Sequence, residues 1–327
     1  MSTGVLAGPE PAVYCSMMLL AVLVDVAVGW PQGLFVRIGH PVSWLGRLIG
    51  LLDAWLNVPR YVESVRRVAG ILAMLFVVTV TVFPAVLIQQ SLPAGIAGLI
   101  IGACLSWPLI AARSLYEHVN AVFQPLSRGN LDEARQEVSR IVGRETSQLD
   151  EAGVGRAALE SLAENTADGI IAPVFWGAIL GFPGIVAYKT INTLDSMVGH
   201  RTERHAAFGW ASARLDDAVN FIPARLTGLL FAVFSARPRE SLRCMRRDSG
   251  HHRSPNAGWP EAAMAGALGV RLSGPRVYAD RVADEPWVNP GFADPGTGEL
   301  GNALRLYVRS LIGMIGMLAL VAFALSS

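Results

Sequence analysis

The stretch VAGILAMLFVVTVTVFPAVLIQQSLPAGIAGLIIGACLSWPLIAA, Val68 to Ala112, contains no charged residue. A hydrocarbon core of about 30 Å is crossed by about 20 apolar residues in a helix. These 45 positions therefore hold two spans, Val68 to Ile88 and Ala94 to Ala112, joined by the short polar turn Gln89-Gln90-Ser91-Leu92-Pro93. Within lipid only helices and closed barrels satisfy their own backbone groups. The hairpin thus sets the fold class: an all-α, multi-pass α-helical membrane protein.

Working outward, a further span runs from Pro11 to Gly29, interrupted only by Asp25, and another from Leu311 to Leu325, preceded by Arg305 and Arg309. Two apolar runs are ambiguous. Ile170 to Tyr188 is broken by Pro173, Gly177, Gly181, Pro183 and Gly184, and Val219 to Phe234 contains Pro223 and Arg225. Broken helix at membrane depth needs partners for its freed backbone groups, so these runs read as re-entrant, interfacial or protein-buried.

Composition agrees with a lipid solvent. Of the 327 residues 52% are hydrophobic and 16% charged, against about 25% charged in soluble domains, and mean hydropathy is +0.41. A net charge of +1 and the lack of any nucleic-acid motif set nucleic acid aside as a partner. Cys15, Cys104 and Cys244 are too scattered for a disulfide framework or a CxxC metal site. No basic segment precedes the first apolar run, which reads as a retained span and not a cleaved signal, with the mature chain starting near Met1.

Basic residues bias short loops to the cytoplasm. The loop after the first span carries Arg37, Arg47, Arg60, Arg66 and Arg67, and the hairpin turn carries none. This places the hairpin turn outside a cell membrane. The largely polar regions 113–169 and 237–305 then face the cytoplasm, provided both ambiguous runs return to the side they left. The whole chain, 1–327, reads as one integral-membrane domain with cytoplasmic helical regions.

The polar middle is helical by pattern. Asn130 caps a helix with apolar positions Leu131, Ala134, Val138, Ile141 and Val142, ending at Gly143. Ser147 with Asp150 resembles a capping box opening a second helix that runs to Asp168 and stops at Gly169. Ala279 to Glu299, rich in Pro, Gly, Asp and Asn, reads as a surface loop.

On the second helix Glu160, Glu164 and Asp168 recur every four residues and share one face. Three carboxylates on one stripe repel, and a divalent cation relieves that repulsion; a solvated helix face is the plainer explanation. Asn165 adds an oxygen ligand beside the stripe, which leads directly into an apolar segment. Magnesium takes one or two carboxylates plus substrate phosphates, so not all three need bind it.

Lys189 is the only lysine, against 26 arginines, and it directly follows an apolar run in Tyr188-Lys189-Thr190-Ile191-Asn192-Thr193-Leu194-Asp195. An ammonium is a compact charge suited to phosphate or a developing oxyanion; a snorkelling anchor is the alternative. Arg201 and Arg204 supply cations for phosphate or carboxylate groups, while His200 and His205 lack metal-pair spacing. Arg214, Asp216, Asp217, Asn220 and Arg225 form a second polar cluster. If that segment is helical, Asp217 and Arg225 share a face, as a site near the membrane or as a structural pair. The turn Ser254-Pro255-Asn256-Ala257-Gly258 leads into a small-residue helix whose start suits an anion, or close packing. No GxxxxGK[ST] loop and no GxGxxG after a strand occurs, so any nucleotide site is of an unusual, helical kind.

Taken together, these strings resemble the CobD/CbiB family of cobalamin biosynthesis, the adenosylcobinamide-phosphate synthases. The resemblance covers nearly the whole chain. It is densest in Ile141-Val142-Gly143-Arg144-Glu145-Thr146, Glu160-Ser161-Leu162-Ala163-Glu164-Asn165-Thr166-Ala167-Asp168-Gly169, Tyr188 to Met197, Ala213-Arg214-Leu215-Asp216-Asp217, Pro223-Ala224-Arg225-Leu226-Thr227 and the Ser254 to Gly258 turn. Near the N-terminus the chain has Gly29-Trp30-Pro31 where the family commonly has Gly-Asp-Pro, although His40-Pro41-Val42 matches.

The resemblance implies an ATP-dependent ligase that joins a corrinoid acid, adenosylcobyric acid, to aminopropanol or its phosphate. It implies ATP as co-substrate and Mg2+ as cofactor. In this reading Glu160, Glu164 and Asp168 hold the metal, and Lys189, Asp195 and Asp217 are catalytic. Asn165, Asn192, Arg201, Arg204, Arg214, Asn220, Arg225 and Asn256 bind ATP or substrate. Other partners are the lipid bilayer and a second copy or another pathway enzyme. The competing readings are a non-catalytic membrane anchor or sensor and, with thinner support from Asp25 and Arg225, a transporter.

Overall fold

The computed structural model describes residues 11–200, 202–277, 282–283 and 285–327. In chain order its helices are α1 (Pro11–Val28), α2 (Gln32–Ile38), α3 (Pro41–Leu56), α4 (Glu63–Ser91), α5 (Ile96–Ser106), α6 (Ala112–Ser127), α7 (Leu131–Ser139) and α8 (Glu151–Thr166). Then follow α9 (Ala172–Leu180), α10 (Phe182–Leu194), α11 (Trp210–Val219), α12 (Phe221–Phe234), α13 (Pro238–Asp248), α14 (Gly258–Leu268) and α15 (Thr297–Ser326). Strand is confined to two-residue pieces: β1 (Leu272–Ser273), β2 (Arg276–Val277), β3 (Val282–Ala283) and β4 (Trp287–Val288), with β1 antiparallel to β4 and β2 to β3. The fold is all-α, and part of the expected 279–299 loop carries this pairing.

Among the described residues four helical stretches are long and apolar enough to cross a membrane: Pro11–Val28, Glu63–Ser91, Ile96–Ser127 and Thr297–Ser326. The pair Trp210–Val219 and Phe221–Phe234 adds a fifth if counted as one broken span. The second arm of the expected hairpin is interrupted, because Pro108 sits in a 3-10 turn, Trp107–Leu109, between α5 and α6.

The described residues group into two compact units. The first comprises 1–111, 172–219 and 315–327; the second comprises 112–171 and 220–314. Both regions expected to be polar fall mainly in the second.

The first unit is built around Ile49 of α3, Ala73 and Val77 of α4, and Leu194, Val198 and Phe208. A side chain at Gly70 would strike the Phe208 carbonyl oxygen, so this glycine permits a close backbone approach. The ambiguous run Ile170 to Tyr188 resolves here: α9 and α10 form a helical hairpin with Gly181 at its tip, at φ 71° and ψ −152°. That region of backbone space is essentially reserved for glycine. The tip is tied to the far end of α4, where Gln89 Oε1 accepts the Phe182 amide at 2.7 Å and Gln89 Nε2 donates to the Tyr14 hydroxyl at 2.9 Å. Farther down, Thr190 donates to Thr81 Oγ1 at 3.1 Å, and Leu194 and Val198 reach Ala73 near the arginine-rich end of α4. The chain therefore goes out along α9 and comes back along α10.

In the second unit α8 is the central helix, with Val154, Ala157, Ala158, Leu159, Leu162 and Ala163 fully buried. Asn130 caps α7 as expected, its side chain accepting from the Glu133 amide at 3.2 Å. Three boundaries differ from the sequence reading, the first being that α7 ends at Ser139 and not at Gly143. The α8 cap is Asp150, which accepts from Gly153 at 2.7 Å, and Ser147 lies outside the helix. Nor does Gly169 stop the helix: a π-turn over Ala167–Ile171 carries it into α9. Pro173 has no N–H for the Gly169 carbonyl, and its ring crowds that oxygen; the widened turn just before it relieves the conflict.

Candidate functional site

The first unit places Lys189 about 20 Å along α4 from Arg67, by the level of the adjoining Thr190–Thr81 bond and a rise of about 1.5 Å per residue. A cation at that depth is a functional candidate by default. Lys189 is half-buried and close enough to His40 for its charge to act on the imidazole. His40 makes a hydrogen bond with the Pro108 backbone. Through Nδ1, which accepts the Val42 amide at 3.2 Å, His40 also caps α3.

One helical step past α10, a π-turn over Asp195–Gly199 aims Asp195. Burial raises the Asp195 carboxyl above the usual carboxylate range; His200 counteracts this and the nearby Asp217 reinforces it. The structure thus brings together Asp195 and Asp217, 22 positions apart in sequence. Asn192 is half-buried beside them on α10, its carbonyl accepting from Ser196 at 2.8 Å. Arg214 is exposed on α11.

Arg204 is committed elsewhere. It donates to Asp53 Oδ2 at 2.7 and 3.0 Å, and its carbonyl accepts from Asn57 Nδ2 at 3.0 Å and from Arg66. His205 Nε2 lies 3.4 Å from Asp53 Oδ1. This network joins the 202–209 loop to the ends of α3 and α4, so Arg204 serves as a structural clasp. Arg201 lies outside the described residues.

In the second unit the carboxylate stripe divides. Glu160 is buried: its Oε2 accepts from Arg144 at 3.1 Å and its Oε1 accepts the Ser273 amide of β1 at 2.8 Å. Glu164 is exposed and Asp168 half-buried, inside the π-turn. Asn165 turns back on its own helix, donating to the Ser161 carbonyl at 2.9 Å. Among the described residues no three His, Cys, Asp or Glu side chains gather as a metal-binding group, and of the stripe Glu160 is engaged by Arg144 and Ser273 while Glu164 is open to solvent. Two carboxylates with phosphate oxygens still form a donor set that suits Mg2+.

Arg225 and Asn256, both expected to bind substrate, meet. Arg225 donates to Asn256 Oδ1 at 3.3 Å and to the Phe221 carbonyl at 2.6 Å. Its guanidinium lies 3.6 Å from the Phe221 ring centroid and 4.3 Å from that of Trp259. Asn256 is held by the Ser254 hydroxyl, which accepts its amide at 3.2 Å. The chain breaks at buried Asn220 between α11 and α12, so Asp217 and Arg225 do not share one helix face. Sequence reasoning passed over the Arg144–Glu160 pair, the His40 beside Lys189 and Trp259; Arg144 and His40 both lie in strings that resemble the family.

The model of the family described as CobD/Cbib protein matches residues 18–307. A "Cobalamin biosynthesis protein CobD" of Rhodobacter capsulatus is 57% identical over 94% of this chain and 98% of its own length. Proteins of the same name from Brucella suis biovar 1 and a Sinorhizobium species are 43% and 40% identical, over 92% and 94% of this chain and 94% and 97% of their own lengths. No solved structure matches. The chain belongs to the CobD/CbiB family of cobalamin-biosynthesis proteins.

Proposed function

We propose that the protein is the amide-forming ligase of its pathway, joining adenosylcobyric acid to aminopropanol or its phosphate with ATP, at a cell membrane. The observation that carries this reading is Lys189: the chain's one lysine, on a helix tied to the uncharged stretch of α4, with Asp195 and Asp217 close to each other on the same unit. A carboxylate is a poor acyl donor. Transfer of a phosphoryl group to one of its oxygens creates a leaving group; the amine nitrogen then forms the C–N bond as phosphate departs and a proton is lost.

In this account Lys189 neutralises the phosphoryl oxygens as charge moves onto them. Asp195, with its raised carboxyl, suits the proton lost by the amine. Glu164 and Asp168 would hold Mg2+, which when bound neutralises phosphate charge. Arg225, fixed between two rings and hydrogen-bonded to Asn256, presents a planar fork for a carboxylate or phosphate. Arg214, Asn192 and Asn220 complete the polar groups assigned to substrate.

Lys189→Ala in protein that remains monodisperse and retains its thermal transition should abolish ligation. Turnover near that of the unaltered protein would remove Lys189 from the mechanism. The reading as a non-catalytic anchor or sensor predicts no ATP-dependent product from either protein.

A further inference from the structure

α3 is not among the helices long enough to cross a bilayer, and by charge it belongs to a basic loop. Its two faces point to a different setting. The inner face, Ile49 with Leu45, Leu48 and Leu52, packs on the core of the first unit against Ala73 and Val77. Gly46 allows Met197 to approach closely. On the adjoining, outward side Trp44, Leu51 and Trp55 are 48%, 56% and 75% exposed; their spacing lines them up in one stripe.

The packing partners fix the depth. Ala73 and Val77 lie about 9 and 15 Å beyond Arg67 along α4, inside its uncharged stretch. At the same level α4 itself turns outward Leu72, Leu75 and Phe76, each at least half exposed. The apolar stripe of α3 therefore lies at the level of an exposed apolar face of α4. At its C-terminal end the polar clasp of Asp53, Asn57, Arg66 and Arg204 marks the water boundary. With 16 residues, about 24 Å long, α3 is too short to cross with its polar end at that boundary.

We infer that α3 is inserted in the bilayer without crossing it, with Trp44 and Leu51 against the acyl chains and Trp55 at the water boundary. The flanking Arg47 snorkels towards the headgroups. The occupant is lipid and not a second copy of the chain, because α3 packs on Ala73 and Val77, which lie inside the uncharged stretch of a helix long and apolar enough to cross a membrane.

The unaltered protein is reconstituted in phosphatidylcholine–phosphatidylglycerol vesicles doped with a phospholipid carrying a diazirine on its acyl chain, illuminated, digested and mapped by mass spectrometry. Adducts on peptides containing Trp44 to Trp55, together with those on α4, are expected. Adducts on α4 with none on α3 would overturn the proposal. Independently, Trp44→Cys and Leu51→Cys, in a chain whose three native cysteines are replaced, carry a spin label. Greater accessibility to oxygen than to a water-soluble nickel chelate is expected. The reverse, or exclusion of both as at a protein–protein contact, would overturn it.

Discussion

Arg144 and Glu160, 16 positions apart, form a buried ion pair at 3.1 Å, with side chains only 13% and 9% exposed, and the second Glu160 oxygen is taken by the Ser273 amide. Removing one member of such a pair leaves the other charge buried and costs about 3–5 kcal/mol. Glu160→Gln should therefore lower the thermal midpoint sharply.

The neighbours on the same stripe should behave differently. Glu164→Gln and Asp168→Asn should leave the midpoint within a few degrees while raising the Mg2+ concentration needed for half-maximal turnover. A titration of activity against Mg2+, run beside a melting curve, separates the two classes. A Glu160 variant with normal stability and altered Mg2+ dependence would restore it as a metal ligand.

Asp195 is raised by burial and by the like charge of Asp217. A group that must be ionised to accept a proton loses activity as pH falls through its value in the fold, so the acid limb of kcat/KM should lie above the ordinary carboxylate range. Asp217→Asn removes a like charge, lowers Asp195, and should move that limb to lower pH. An unmoved limb would separate the two aspartates.

Gly181 occupies backbone space that a side chain reaches only with strain, and a Cβ there would strike Gln89 Oε1. Gly181→Ala should cost about 1–3 kcal/mol, seen as a lowered midpoint in detergent. Gln89→Leu, which removes the Phe182 and Tyr14 bonds, should destabilise in the same direction without any clash.

Asp294 is held below the usual carboxylate range chiefly by hydrogen bonding from Arg271, against burial, and further by Arg156. The unfolded chain then takes up its proton first. The stabilisation is complete above the ordinary value of about 3.9 and is lost as pH falls through the lower folded value. Asp294→Asn should lower stability at neutral pH and flatten its acid dependence, as followed by melting curves from pH 7 downwards.

Patterns carried by single helices were legible in the sequence. The uncharged stretch from Val68, the cap at Asn130 and the spans at Pro11 and Leu311 all follow from local periodicity and composition. What depends on distant contacts was not. Gly169 looks like a stop, yet the apolar residues beyond it and the π-turn before Pro173 keep the helix going. Glu160 and Glu164 look equivalent at helical spacing, but only Glu160 is covered by β1, 113 residues away. Arg204 looks like an anion-binding arginine until Asp53, 151 positions earlier, claims it. The meeting of Arg225 with Asn256 needed a turn whose geometry no periodicity encodes.

The account stands or falls on ligation. The purified protein in detergent, given adenosylcobyric acid, Mg-ATP and either aminopropanol or its phosphate, should yield the corresponding amide by mass spectrometry with one amine, and none when ATP is omitted. Folded protein that makes no amide from either amine would contradict the ligase assignment and leave the anchoring or sensing role in its place.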